Sequence, residues 1–436
     1  MNLVLSMNRH KKTFSNYITF SRPKKKTSAS WGRVMIIWSC MRRLIMREIS
    51  FLVGSGISLA SGVKGVADVT TSVLTTTFFE HTDGSFIKGK HPSEYLREHY
   101  DVEPIQNFLM MLNEEYDEYL ACRFGENHHS TYEDLYDICR QLAEEEGYLR
   151  DNLAVIDFSK RIKQASFEYR RNYCDFRDSP ISLKAFCDKA QRYIEYVIKY
   201  SLNERDIKGL DIFLDLYKAG ISQEVFTLNH DLLVEKFSKE NDIPFIDGFS
   251  ESDGDIRWYN SDRWNEDAPV KIYKLHGSRN WYLIQHKKSG QVTAILDGSD
   301  NWHAYDADGV MIDYLHEDKQ MLTGLRKEER YFSGIVGEAQ FRFSAKLRKI
   351  DTLIISGYGW SDKAINLKIF DWLGKKSDNK VVIIHAEPEN MIRNARYLNS
   401  RQVKMWQKEG QILFIEKWFE DVAVEDVEPY LNIIKD

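Results

Sequence analysis

Six short apolar runs punctuate this chain: Ile49–Gly54, Glu224–Leu228, Lys271–Leu275, Thr352–Ser356, Lys380–His385 and Gln411–Ile415. They are continuous rather than alternating, the pattern of strands covered on both faces, and such strands belong to parallel sheets. Several are followed by glycine or a small polar residue and then by apolar positions at helical spacing. Strand, tight turn and helix in repetition predict an α/β fold, a doubly wound parallel sheet with helices on both faces. Ligands of such sheets bind outside the carboxyl ends of the strands, so the strand tips are where chemistry is to be sought.

The first run ends at Gly54 and the second begins at Glu224, a gap of about 170 residues that no ordinary crossover fills. Within it Ile105–Tyr119, Thr131–Glu146, Val155–Tyr173 and Leu183–Leu202 carry apolar residues three and four apart, which predicts helices. The expected organisation is a sheet domain in two pieces, 48–91 and 205–436, separated by a large α-helical insertion at 92–204. Ser250–Val270, rich in Asp, Ser and Trp, is expected to be a long loop.

Composition matters chiefly through its distribution. The 436 residues carry a net charge of −6, yet residues 1–47 hold 11 Lys/Arg and no Asp or Glu, which leaves −17 on the rest. A basic arm of this kind fits a nucleic-acid tail or a targeting peptide. A start assigned too far upstream, with Met46 as the true first residue, is the simplest reading. The acidic body argues against direct nucleic-acid binding by the folded part. No apolar run reaches the roughly 18–20 residues that span a bilayer, and Val34–Met46 is broken by Arg42 and Arg43, so a cytoplasmic protein is expected. The five cysteines (Cys40, Cys122, Cys139, Cys174, Cys187) include no pair within four residues. Buried free thiols and no metal site are expected.

The strand tips carry five motifs. Gly54-Ser55-Gly56-Ile57-Ser58 leads to Ser61-Gly62, and a strand ending in Gly-Ser-Gly before a helix offers amide N–H groups to an anion. Glycines at 54 and 56 would let a diphosphate approach the backbone, although any tight turn uses glycine too. Leu59 occupies the third glycine position of a dinucleotide fingerprint. Thr227-Leu228-Asn229-His230-Asp231 delivers short polar groups to the sheet edge, either for a ligand or to cap the following helix. Leu275-His276-Gly277 places an imidazole at a strand end, suited to proton transfer or to a structural role. Gly357-Tyr358-Gly359-Trp360-Ser361-Asp362 and His385-Ala386-Glu387 follow the next two runs. Gly84–Lys90 imitates a P-loop, but His91 and Pro92 replace the magnesium-holding hydroxyl and no buried strand precedes it.

In order, these motifs resemble the sirtuin family, and more closely the sirtuin-like domains of bacterial antiphage defence proteins, over about residues 48–75 and 220–390. The resemblance implies a Rossmann-like NAD+ site. Gly54, Ser55, Gly56 and Ser58 would line the diphosphate, with Thr227 and Asp362 in the same cofactor-binding set. Asn229 and Asp231 would sit beside the nicotinamide ribose, His276 would be the catalytic base, Gly357 and Gly359 would approach the adenosine half, and Glu387 its ribose. The chain departs from the protein-deacylating members: it has no paired-cysteine zinc module, Leu228 precedes Asn229 where glutamine is usual, Gly359 replaces a serine, and His385 stands at an asparagine position.

Those departures point to water as the acceptor. The expected activity is NAD+ hydrolysis to nicotinamide and ADP-ribose, with Asn229 positioning ribose or water, His276 accepting a proton and Asp231 orienting. The resemblance further implies a gated effector of antiphage defence acting by NAD depletion, a homo-oligomer, and a second subunit such as a HerA-type ATPase or an Argonaute-like sensor. The alternatives are a non-catalytic NAD+ or ADP-ribose sensor and an NAD-dependent protein deacylase.

Overall fold

The computed structural model describes residues 46–434 apart from 83, 95–99, 125–128, 147–154, 174–178, 204–205, 287–289, 297–303, 310, 313, 325–326, 328–330 and 396. The basic arm up to residue 45, with Cys40, and Cys174 lie outside the described residues. Arg47–Ile434 form one compact unit.

All six apolar runs are strands of one central sheet. They are β1 (Met46–Val53), β2 (Ser222–Thr227), β4 (Val270–Lys274), β5 (Thr352–Ser356), β6 (Lys380–Ile384) and β7 (Ile412–Ile415). The two-residue β3 (Phe245–Ile246) extends one edge, giving the order β7-β6-β5-β1-β2-β4-β3, and β8 (Asn432–Ile434) pairs with β1 off this path. Pairing along the path is parallel throughout. Register levels the tips: Val53 lies opposite both Ser356 and Thr227, and Thr227 lies opposite Lys274. From the central β1 the chain next joins the sheet at β2, whereas β5 leads outward to β6. The crevice between β1 and β5 is therefore the topological switch point, where such sheets bind ligands.

Alternate residues of each strand feed opposite layers. Leu52, Phe226, Leu353 and Val381 pack with Phe343 of α9 (Gly334–Leu347), Ile369 of α10 (Lys363–Leu373) and Trp406 of α12 (Ser400–Lys408). Phe51, Val225, Ile354 and Val382 pack with Phe213 of α7 (Asp211–Lys218) and Phe237 of α8 (Leu233–Glu240). A Rossmann-like α/β sandwich results.

The long connection from β1 to β2 is mainly helical. It comprises α1 (Val66–Thr75), α2 (Glu103–Phe124), α3 (Tyr132–Glu146), α4 (Ile156–Ala165), α5 (Phe167–Arg171) and α6 (Leu183–Ser201), with a separate apolar core around Phe108, Leu135, Phe186 and Tyr193. The single helix predicted over Val155–Tyr173 breaks at buried Ser166. Arg170 stabilises the break, donating to Ser166 Oγ and to the carbonyls of Lys163 and Ile181. The P-loop-like segment lies in a hairpin, Phe78–Glu80 against Phe86–Lys88.

Ser250–Val270, expected to be a long loop, is partly regular. It contains the strand Ile256–Trp258 and a 3-10 turn, Ser261–Asn265, and the strand joins a four-stranded antiparallel sheet with Gly277–His286, Gly290–Leu296 and Tyr314–Met321. Cys139 and Cys187 are buried free thiols as expected, but Cys122 is exposed near the end of α2. Among the described residues no helix is long and apolar enough to cross a membrane.

Candidate functional site

The tip of β1 runs into a 3-10 turn, Ser55–Ser61, closed by Gly62 in the left-handed region at φ 73°. The helix predicted directly after the strand starts only at α1. The glycines of this turn are explained first by contact with the loop after β5. A Cβ on Gly54 would lie 2.5 Å from the carbonyl oxygen of Gly357, and one on Gly56 2.6 Å from the Gly357 Cα. Gly357 itself has φ 65°, and a Cβ there would meet the Ile57 nitrogen at 2.5 Å. The Gly56 amide donates to Gly357 O at 2.9 Å, so this N–H is committed within the protein and does not face a phosphate as the sequence suggested.

Asn229 and Asp231 separate the two roles left open for them. The Asp231 carboxylate accepts from the Leu233 amide at 3.1 Å, capping the start of α8, and from Ser58 Oγ at 2.8 Å. Asn229 caps nothing. Its Nδ2 donates to Gly54 O and to Ser58 Oγ, each at 3.1 Å, while its amide donates to Thr227 Oγ1 at 3.0 Å. Ser58 and Thr227 are buried beneath the strand tips and support Asn229 and Asp231 from below.

His276 follows β4. Its neighbour Gly277 is required by the antiparallel sheet, since a Cβ would fall 1.8 Å from Gln320 O. Nε2 of His276 lies 2.9 Å from Asp362 Oδ2 and 2.7 Å from the hydroxyl of Tyr331, and that hydroxyl donates to Asp362. Nε2 thus faces only acceptor lone pairs and carries the ring hydrogen, which leaves Nδ1 as the basic atom. Burial lowers the His276 pKa below the ordinary imidazole value, Lys327 adds to this, and Asp362 opposes it. The ring is neutral at pH 7. Burial pushes the Asp362 carboxyl upward, but its partners His276, Lys327 and Tyr331 outweigh that and hold it below the usual range.

These groups meet in one cleft enclosing about 950 Å³, open solvent included. Gly54, Ser55, Asn229, Asp231, His276, Gly357, Gly359 and Asp362 all line it. A Cβ on Gly359 would meet nothing within 4 Å, so that glycine borders open space. Glu387 is not brought in. It is exposed beyond β6, where its carboxylate accepts from Asn390, and it does not line the cleft.

Several lining residues carried no sequence signal. Tyr132 and Glu133 come from α3, Leu202 follows α6, and Lys327 pairs with Glu133 at 2.6 Å with both side chains largely buried. Lys327 and Glu133 act electrostatically on His276. Tyr331 stands in an irregular segment without periodicity. Leu228, His230, Tyr358 and Ser361 did lie inside recognised motifs; the buried imidazole of His230, 6.3 Å from that of His276 between ring centres, is held neutral chiefly by burial. Among the described residues no cluster of three or more His, Cys, Asp or Glu is placed to hold a metal.

A family model described as a SIR2-like domain matches residues 223–406, the stretch from β2 through α12 that carries Asn229, His276 and Asp362. The chain therefore contains a sirtuin-like domain. Domains of this kind bind NAD+ and act in NAD-dependent chemistry in general. No curated protein matches the chain.

Proposed function

We propose that the protein is an NAD+ glycohydrolase, cleaving the nicotinamide–ribose bond to give nicotinamide and ADP-ribose. The observation that carries this reading is the neutral His276, its Nε2–H fixed by Asp362 and Tyr331, in the same cleft as Asn229 and the paired Gly54 and Gly357 loops. Water attacks the ribose C1′ as its bond to nicotinamide breaks. The bonding pair leaves with the pyridine nitrogen, and the water proton passes to His276 Nδ1. Asn229 orients the ribose or the water, and Asp231 holds Ser58 and the start of α8 in place. Lys64 and Lys327, both lining the cleft, offer positive charge to the diphosphate.

Water is favoured over acyl-lysine because α3 contributes a wall of the cleft. Glu133 reaches across to Lys327 close to His276, which narrows the space an extended peptide would need. A role in antiphage defence, a homo-oligomeric state, a gating partner subunit and cytoplasmic location complete the proposal. Mass spectrometry of NAD+ after incubation with purified protein tests it, with and without an acetylated peptide. Nicotinamide and ADP-ribose are expected without peptide, and Asn229→Ala or His276→Ala should nearly abolish them. Product only in the presence of peptide would establish a deacylase, and binding without turnover a sensor.

A further inference from the structure

The helical insertion reaches the candidate cleft at two neighbouring points on α3. Gly324, on the cleft wall, has φ 92°, and a Cβ there would lie 3.0 Å from the ring of Tyr136. One turn earlier on the helix, Glu133 Oε1 accepts from Lys327 Nζ at 2.6 Å. The segment so held is close to the chemistry, because the Leu322 amide donates to the carbonyl of His276 at 2.8 Å. Tyr136 in turn donates to Glu195 of α6 at 2.8 Å, which ties the contact to a second helix of the insertion.

The charges on the cleft wall give that contact a meaning. Among the described residues lining it, Lys64 and Lys327 are cationic, while Glu133, Asp231 and Asp362 are carboxylates. Lys64 is exposed and donates to Ser72 Oγ at 2.6 Å. Lys327 is the stronger anchor for an anion, since its side chain is only 11% exposed and its charge is poorly screened. That charge is already matched by Glu133, whose side chain is 15% exposed. An ammonium has three donors, so geometry permits it a second partner. Electrostatics opposes one: a carboxylate and a phosphate would face each other across a single cation in a place largely out of water.

We propose that Glu133 occupies, on Lys327, the place of a substrate phosphate, so that the insertion holds the cleft in a state of low affinity for dinucleotides. Carboxylate and diphosphate compete for one ammonium. Parting the pair frees Lys327, and a ligand that binds the parted state better shifts the population toward it. α3 is thereby a brake built into the chain, and any displacement of α3 that separates Glu133 from Lys327 releases it. This inference rests on the reading of the cleft as an NAD+ site.

ADP-ribose, which carries the diphosphate but no nicotinamide bond to cleave, is the probe, titrated calorimetrically against the full chain. Glu133→Gln keeps the shape of the side chain and removes its charge. Glu133→Gln combined with Lys327→Met removes both charges and leaves neither buried without its partner. The single variant should bind ADP-ribose about tenfold or more tighter than wild type, with KM for NAD+ falling in step. The double variant should lose this gain and bind no tighter than wild type. A single variant no tighter than wild type overturns the proposal, because no competition was relieved. A double variant tighter than wild type overturns it as well, because Glu133 would then act by repulsion and not through Lys327. Should the single variant fail to fold, the double variant decides by the same comparison. ADP-ribose binding without NAD+ hydrolysis removes the hydrolase reading alone, and the titration still judges the brake; ADP-ribose bound by no variant removes both.

Discussion

Asp362→Asn is the sharpest probe of the cleft, because it changes one atom in a site whose geometry assigns each hydrogen. The carboxylate is nearly buried, accepts from the Ile365 amide through Oδ1 at 2.9 Å, and meets His276 and Tyr331 through Oδ2. Asparagine keeps the acceptor that caps α10 and is itself a favoured cap, so the fold should survive. The other atom becomes an NH2 donor facing Nε2. The imidazole must then give up its Nε2 hydrogen and carry it on Nδ1, the atom required to be bare.

The lost bond to a charged group is worth about 1.5–3 kcal/mol. At roughly 1.36 kcal/mol per tenfold, kcat for NAD+ loss should fall about 10–150-fold. Asp362 is also the charge that raises the His276 pKa against burial and Lys327. Its removal moves the acid limb of the pH–rate profile to lower pH, while the plateau drops. The assay is kcat across pH 5–9 with melting temperature measured in parallel. A plateau within about twofold of wild type in a variant of unchanged stability would refute the assignment of His276's tautomer to Asp362.

Gly357→Ala forces a Cβ onto the Ile57 nitrogen at a φ of 65°, and thermal unfolding should show a loss of about 1–3 kcal/mol or more. Gly359→Trp adds bulk where a Cβ meets nothing within 4 Å, so KM for NAD+ should rise several-fold with the melting temperature unchanged; equal kinetics would place Gly359 away from the substrate. Acid should destabilise the protein before its carboxylates titrate. His230 and His276 both have folded pKa values below 6.5, so below that pH the unfolded chain binds protons the folded one refuses, and stability falls as pH drops from 7 to 5. Each unit of pH below 6.5 can remove up to about 1.4 kcal/mol per histidine, and none is lost above pH 7. His230→Gln should flatten the slope of melting temperature against pH in that window, and an unchanged slope would exclude His230 from it.

What the sequence revealed and what it hid follow from how each element is buried. β1, β2, β4, β5, β6 and β7 are covered on both faces, so each had to be a continuous apolar run. The antiparallel strand Gly277–His286 carries the half-buried polar residues Arg279 and Asn280, which no apolar pattern marks. β3 is two residues long. Within the cleft, the residues at strand tips were visible because their motifs are local. Lys327 and Glu133 are 194 positions apart in the chain, and their meeting depends on tertiary packing alone. Glu387 shows the converse: a strand-end position predicts the correct edge of the sheet, but not how far along that edge the cleft extends, and Glu387 does not line it.

The tips are also tied to one another, which bears on how the site keeps its shape. Asn229 Nδ2 on Gly54 O joins β2 to β1, Gly56 N on Gly357 O joins β1 to β5, and His276 Nε2 on Asp362 joins β4 to the segment beyond β5. Each tie uses a group for which the motifs offered both a ligand role and a structural one. A Cβ at 54, 56 or 357 would part the first two loops before any ligand arrived. The glycines are therefore explained by assembly of the cleft as much as by its occupant. Loss of any one tie should loosen residues on strands that the substituted side chain never touches.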